Sequence, residues 1–194
     1  MTDQPQNFEF NESNLDLATT IISKYPKGRQ QSAVLPLLDL AQRQFGGWLP
    51  KAAMDYIAEM LWMAPIRVYE VATFYTMFNL KPVGKHHVQV CTTTPCWLRN
   101  SDSVLTSCIK RLGIKPGETT ADGMFTLSEV ECLAACVNAP MVQIDDDYYE
   151  DLDADSMQHI LDELSKGNKL HNGPQVDRQT SAPISGPKTL SNKS

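Results

Sequence analysis

Val90-Cys91-Thr92-Thr93-Thr94-Pro95-Cys96-Trp97 and Val130-Glu131-Cys132-Leu133-Ala134-Ala135-Cys136-Val137 are the two stretches on which the reading of this chain turns. Their cysteines are spaced C-x4-C and C-x3-C, with 35 residues between the pairs. Each pair can grip one metal, so the set suits a tetrahedral sulfur site or a two-iron cluster. The flanks say how the thiols are presented. His87 to Cys91 alternates and is β-branched, which predicts a strand ending on Cys91. Trp97 to Leu112 predicts a helix, so Cys96 falls near a helix N-terminus, where free N–H groups favour a thiolate. Phe125 to Val130 predicts a second strand running into Cys132.

Other chemistries compete for the same residues. Disulfides need an oxidising compartment, and no secretory signal precedes the cysteines. Structural zinc fits the ligand count, but zinc ribbons favour C-x2-C knuckles. A thioredoxin-type redox pair needs C-x-x-C, which is absent from the sequence. Thr, Ala and other small residues in both loops let backbone amides approach sulfur, which favours an anionic [2Fe–2S] cluster on Cys91, Cys96, Cys132 and Cys136.

Further residues carry a family resemblance. Val71-Ala72-Thr73-Phe74-Tyr75-Thr76-Met77-Phe78, Lys81-Pro82-Val83-Gly84-Lys85 and Val88-Gln89-Val90-Cys91-Thr92-Thr93-Thr94-Pro95-Cys96 closely resemble the thioredoxin-like ferredoxin subunit of respiratory complex I. This is the E-type chain of bacterial NADH–quinone oxidoreductase and the flavoprotein-2 subunit of mitochondria. Glu131-Cys132-Leu133-Ala134-Ala135-Cys136-Val137-Asn138-Ala139-Pro140 is similar to the second family motif, and the resemblance covers roughly residues 12 to 165. Where this chain has Ala134 the family often has Gly, a difference that matters little if φ there is negative.

The resemblance implies a one-electron carrier beside a partner subunit that holds FMN and the NADH site, with electrons passing on to a quinone. It also implies a cluster off the main electron route, serving as a one-electron store and a support for the flavin subunit. Related chains in NAD-linked hydrogenases and formate dehydrogenases form the alternative, and a zinc-stapled adaptor is the alternative of a different class. Neither a G-x-G-x-x-G nor a Walker loop is present, nor a Ser/His/Asp or Cys/His constellation, so no catalytic residue is assigned.

The chain has 194 residues and is 42% hydrophobic, enough for one ordinary domain or a small domain with an appendage. A net charge of -6 argues against nonspecific nucleic-acid binding. No apolar run approaches the roughly 20 residues that span a bilayer, so membrane association would come through partners. The first residues lack both a transit-peptide and a signal-peptide pattern. The expected location is the bacterial cytoplasm, at the inner membrane through the complex, or the matrix side if organellar.

The expected architecture is α/β: a helical bundle over 1–85, a thioredoxin-like ferredoxin domain with a mixed sheet over 86–165, and a polar, disordered tail over 166–194. Residues 1–10 read as polar and mobile. Four amphipathic helices follow, marked by Leu15/Ala18/Ile22/Tyr25, Val34/Leu38/Ala41/Phe45, Ala53/Ile57/Met60/Leu61 and Val68/Val71/Ala72/Tyr75. Trp62, Met63, Phe74, Tyr75 and Phe78 suit either the core of this head or a docking surface. The second domain reads strand 87–91, helix 97–112, strand 125–130, strand 141–144, turn 145–147, strand 148–149 and helix 154–165. Cys108 shares a helical face with Leu105 and Leu112 and reads as core. His86 and His87 read as exposed residues at a strand start rather than Rieske-type ligands. The seven acids from Asp145 to Asp155 include no Gly turn, which argues against a calcium loop.

Overall fold

The computed structural model describes residues 4–186 and 189. The remaining parts of the N-terminal stretch and of the tail lie outside the described residues. The chain divides into two units, Met1–Val83 and Gly84–Ser194.

The first unit is helical. α1 (Glu12–Ser23) is capped by Asn11, whose side chain accepts from the Asn14 N–H. A short 3-10 turn (Gln30–Ala33) leads into α2 (Val34–Gln44), followed by α3 (Lys51–Met60) and α4 (Pro65–Phe74). Their apolar stripes meet in one core of Ala18, Leu37, Leu38, Ala53, Ile57 and Val68. The N-terminal stretch is more ordered than its polar composition predicts. Phe8 and Phe10 are buried against Tyr56, with ring centroids 5.7 and 5.6 Å away, and this edge-to-face cluster ties the segment before α1 to α3. The aromatic residues that sequence left undecided separate cleanly. Phe78 is buried, whereas Trp62 is 92% and Phe74 76% exposed.

The second unit is a five-stranded mixed sheet in the order β2-β1-β3-β4-β5. β1 (His86–Cys91) runs parallel to β2 (Phe125–Val130), with Cys91 opposite Val130. β3 (Val142–Ile144) lies antiparallel to β1, and β4 (Asp147–Glu150) antiparallel to β3 through a turn at Asp145, whose φ is 56°. The β1-to-β2 crossover is not the single helix expected over 97–112. Pro95 starts a helix early, giving α5 (Thr94–Leu98), and Asn100 at φ 70° breaks the chain before α6 (Ser101–Leu112). α7 (Ala154–Ser165) packs against α6. Val88, Val90, Val104, Cys108, Leu127, Met157 and Leu161 form the core between sheet and helices. Gly84 opens this unit because nothing larger fits: a Cβ there would stand 2.8 Å from the Phe125 backbone.

The tail differs from expectation in its described part. Gly173–Pro174 forms β5, parallel to β4, and Arg178 lies beneath the surface paired with Asp151. Apolar content does not place this segment; main-chain pairing with β4 does.

Candidate metal centre

β1 delivers Cys91 at its last residue, and Thr93 turns the chain into α5, whose first turn holds Cys96. Both side chains are 1% exposed, packed with Ala139 and Met141. β2 ends at Val130 and the following loop brings Cys132 and Cys136 to the surface, with a 3-10 turn at Cys136–Asn138 closing it. One pair is therefore dry and the other wet.

The exposed thiol pair stands close to metal-binding spacing. Cys132 Sγ and Cys136 Sγ are 3.4 Å apart. A tetrahedral metal with thiolate bonds of about 2.3 Å holds its sulfurs about 3.8 Å apart, so the pair needs little movement to grip one ion. The loops converge from both sides. The Leu133 N–H reaches Cys91 and the Met141 N–H reaches Cys96, while the Ala134 N–H donates to Cys132 Sγ at 3.4 Å. Such donors stabilise an anionic sulfur cluster. Among the described residues no three His, Cys, Asp or Glu side chains crowd round a single point.

The protons on these sulfurs show the same tension. Burial and the hydrogen bond to Cys91 push Cys96 up to about 12. Burial also acts on Cys91, but hydrogen bonds from the Thr93 hydroxyl and N–H, Cys96 and Leu133 outweigh it and hold the thiol below its ordinary value. Cys136 is raised, first by sharing a proton with Cys132 and then by desolvation and nearby negative sulfur. Neighbouring thiolates repel one another until cations sit between them, and a bound metal removes the proton outright.

Ala134 is the main surprise of the loop. Its φ is 66°, so the condition under which alanine in place of glycine matters little is not met. The Cys132–Cys136 loop needs a left-handed residue there to aim its N–H at sulfur, and alanine accepts the strain. The loop is further held by the Tyr148 hydroxyl, which donates to the Leu133 carbonyl at 2.9 Å, a contact sequence reasoning missed.

Other candidates fall away. His86 Nδ1 pairs with Asp145 at 2.8 Å and His87 Nε2 with Ser128 at 2.8 Å, at the opposite end of β1 from Cys91. Both are half-buried rather than exposed, and burial lowers the pKa of His87. The acids of 145–155 have separate occupations: Asp145 on His86, Asp147 on Asn172, Glu150 on Asn138, Asp151 on Arg178, Asp153 as the cap of α7. Cys108 is fully buried in α6, and burial raises its thiol to about 12.

A small mixed sheet that presents two cysteine pairs from the loops at its strand ends defines an iron–sulfur protein of the ferredoxin class. The chain belongs to the thioredoxin-like [2Fe–2S] ferredoxin family, whose profile matches residues 18–165, and the group that goes with that family is a [2Fe–2S] cluster. It is 66% identical over 158 residues to the E-type chain of NADH-quinone oxidoreductase in Rickettsia conorii, covering 81% of this chain and 95% of that one. It is 51% identical over 183 residues to the mitochondrial NADH dehydrogenase [ubiquinone] flavoprotein 2 of Dictyostelium discoideum, covering 94% of this chain and 74% of that one. A chain of an NAD+-reducing [NiFe]-hydrogenase has a similar fold, with a TM-score of 0.60 at 19% identity; 69% of this chain and 23% of that one are covered.

Proposed function

We propose that this chain is the [2Fe–2S] electron-transfer subunit of an NADH–quinone oxidoreductase. The observation that carries the reading is the identity of 60–66% to four E-type chains of that enzyme over nearly their whole length, together with two thiol pairs in the loops expected to hold the cluster. Cys91 and Cys96 hold one iron on the buried side, and Cys132 and Cys136 hold the other on the exposed side. Bound there, a [2Fe–2S] cluster supplies a site that takes or gives one electron at a time.

The residues of the chain divide the remaining work. The buried pair and its Leu133 and Met141 amides keep water from one half of the site. The exposed pair opens toward a partner, and Trp97 and Leu98 beside Cys96 and Val137 beside Cys136, which are 55%, 70% and 69% exposed, offer apolar surface for it. The partner in this reading carries FMN and the NADH site, and Trp62, Ile66 and Phe74 of the helical unit offer a second apolar contact for other subunits. No described helix is long and apolar enough to cross a membrane. The chain sits in the peripheral arm, on the cytoplasmic side in a bacterium or the matrix side in a mitochondrion. The hydrogenase diaphorase alternative has the fold likeness alone in its favour.

The test is chemical. NADH delivers a two-electron hydride, so a one-electron site needs a flavin between them. The purified chain is expected to be reddish-brown, to bleach with dithionite and to be inert to NADH; adding the flavin-bearing partner makes it respond. Rapid bleaching by NADH without partner or flavin sinks the subunit reading.

A further inference from the structure

The C-terminal segment reaches Asn138, at the end of the second cysteine loop, through the Arg178 side chain and the Thr180 carbonyl. β5 runs beside β4, and the Gln175 N–H donates to the Glu150 carbonyl at 2.9 Å, continuing the pairing. Arg178 then turns inward. Its Nη1 lies 2.7 Å from Asn138 Oδ1, 3.2 Å from each Asp151 carboxylate oxygen and 3.4 Å from the Val137 carbonyl. Arg178 and Asp151 side chains are each 7% exposed.

Asn138 is the hub of these contacts. It is 3% exposed and follows Cys136 by two residues. Its Nδ2 donates to Glu150 at 2.5 Å and to the Thr180 carbonyl at 3.1 Å, and its own carbonyl accepts from the Asp151 N–H at 2.7 Å. Two of the groups that fix it, Arg178 and Thr180, come from the segment beyond α7. A cleft of about 430 Å3 is lined by Ala134 and Val137 of the loop and by Pro174 and Thr180 of the segment. The coupling between them runs through the polar contacts of Arg178 and Asn138.

A buried ion pair contributes little net stability, since desolvation offsets the attraction. Here the Arg178 Nε is also buried without a hydrogen-bond partner among the described residues, which makes the pair a poorer stabiliser still. Its placement beside a cysteine loop needs another account. We propose that Arg178 is a positioning residue for the iron–sulfur site: it holds Val137 and Asn138, and through them the Cys132–Cys136 loop, in the geometry that retains the cluster. The inference rests on Cys132 and Cys136 being ligands.

The experiment uses the full chain carrying its cluster. Release of iron to a chelator is timed well below the melting temperature, and the dithionite-reduced protein is examined by electron paramagnetic resonance. Removing residues that hold metal ligands in place commonly weakens metal retention by about 10- to 100-fold, and Arg178→Ala is expected to speed release by that order. Its g-values are expected to shift while far-ultraviolet circular dichroism stays as in the parent. Arg178→Lys, which keeps the charge without the fork, is expected to fall between. If Arg178→Ala fails to fold because Asp151 is left buried and unpaired, Arg178→Met with Asp151→Asn removes both charges and decides the matter on the same two measurements. Parent-like release and g-values in the variant that folds overturn the proposal. Cys136→Ser in the parent separates the premise from the inference. A parent-like spectrum there removes the ligand assignment; an altered one, with Arg178→Ala unchanged, removes only the role of Arg178.

Discussion

Ala134 carries the sharpest consequence at the scale of one residue. An L-amino acid in the left-handed region costs about 1–2 kcal/mol, and the exposed Cβ of Ala134 has little packing to offset it. Ala134→Gly relieves that strain but loosens the unfolded chain, so a net gain of about 1 kcal/mol is expected. Urea denaturation of the cluster-bearing chain measures it; a loss of stability would show that the methyl packs usefully in the loaded state. The closeness of Cys132 and Cys136 was legible from their spacing, because residues four apart in a tight loop are easily brought together. The φ of Ala134 was not, since a loop's handedness depends on where its amides must point. Arg178 was invisible for a related reason. It is the only Arg after residue 165, and its partners Asp151 and Asn138 lie 27 and 40 positions away.

Elements were easier to foresee than their ends. The strands over 86–91 and 125–130 and the closing helix follow from alternation and periodicity, whose signals span many residues. The break at Asn100 hangs on one residue's tolerance of positive φ, so a continuous helix was expected where α5 and α6 stand. α7 shows what a terminus contributes. Asp153 accepts from the Ser156 N–H at 2.8 Å, and its own N–H donates to Ser156 Oγ at 2.9 Å, a reciprocal cap on a helix whose Met157, Ile160, Leu161 and Leu164 are buried. Asp153→Ala is expected to cost about 1 kcal/mol at neutral pH. Those hydrogen bonds from Ser156 hold the Asp153 carboxyl below the ordinary 3.8. A carboxyl depressed in the fold stabilises fully above its unfolded value and loses that contribution as pH falls through the folded one. The gap between parent and variant in urea denaturation should therefore be full at pH 7 and shrink below about pH 4. An unchanged gap in acid would mean the cap acts through geometry rather than charge.

At the scale of the whole molecule, the chain divides into 1–83 and 84–194, each with its own apolar core. What the sequence concealed was the reach of the last segment, because β5 is made of Gly173 and Pro174, residues that carry no strand signal. Cys108 lets one watch the second unit come apart. Its sulfur is fully enclosed within α6, with a proton held to about 12, so a thiol reagent at pH 8 has neither access nor thiolate to attack. In the proposed site the other four cysteines are occupied while the cluster is bound; without it Cys132 and Cys136 are exposed but Cys91 and Cys96 are nearly as buried as Cys108, so the label on Cys108 is read on its own by peptide mapping. Modification of Cys108 therefore occurs on the rare excursions that open the core, and its rate is a clock for them. Stripping the iron should make that clock run faster without quickening amide exchange in the helices of 12–74; equal ticking with and without metal would mean the cluster is a passenger in the fold rather than one of its supports.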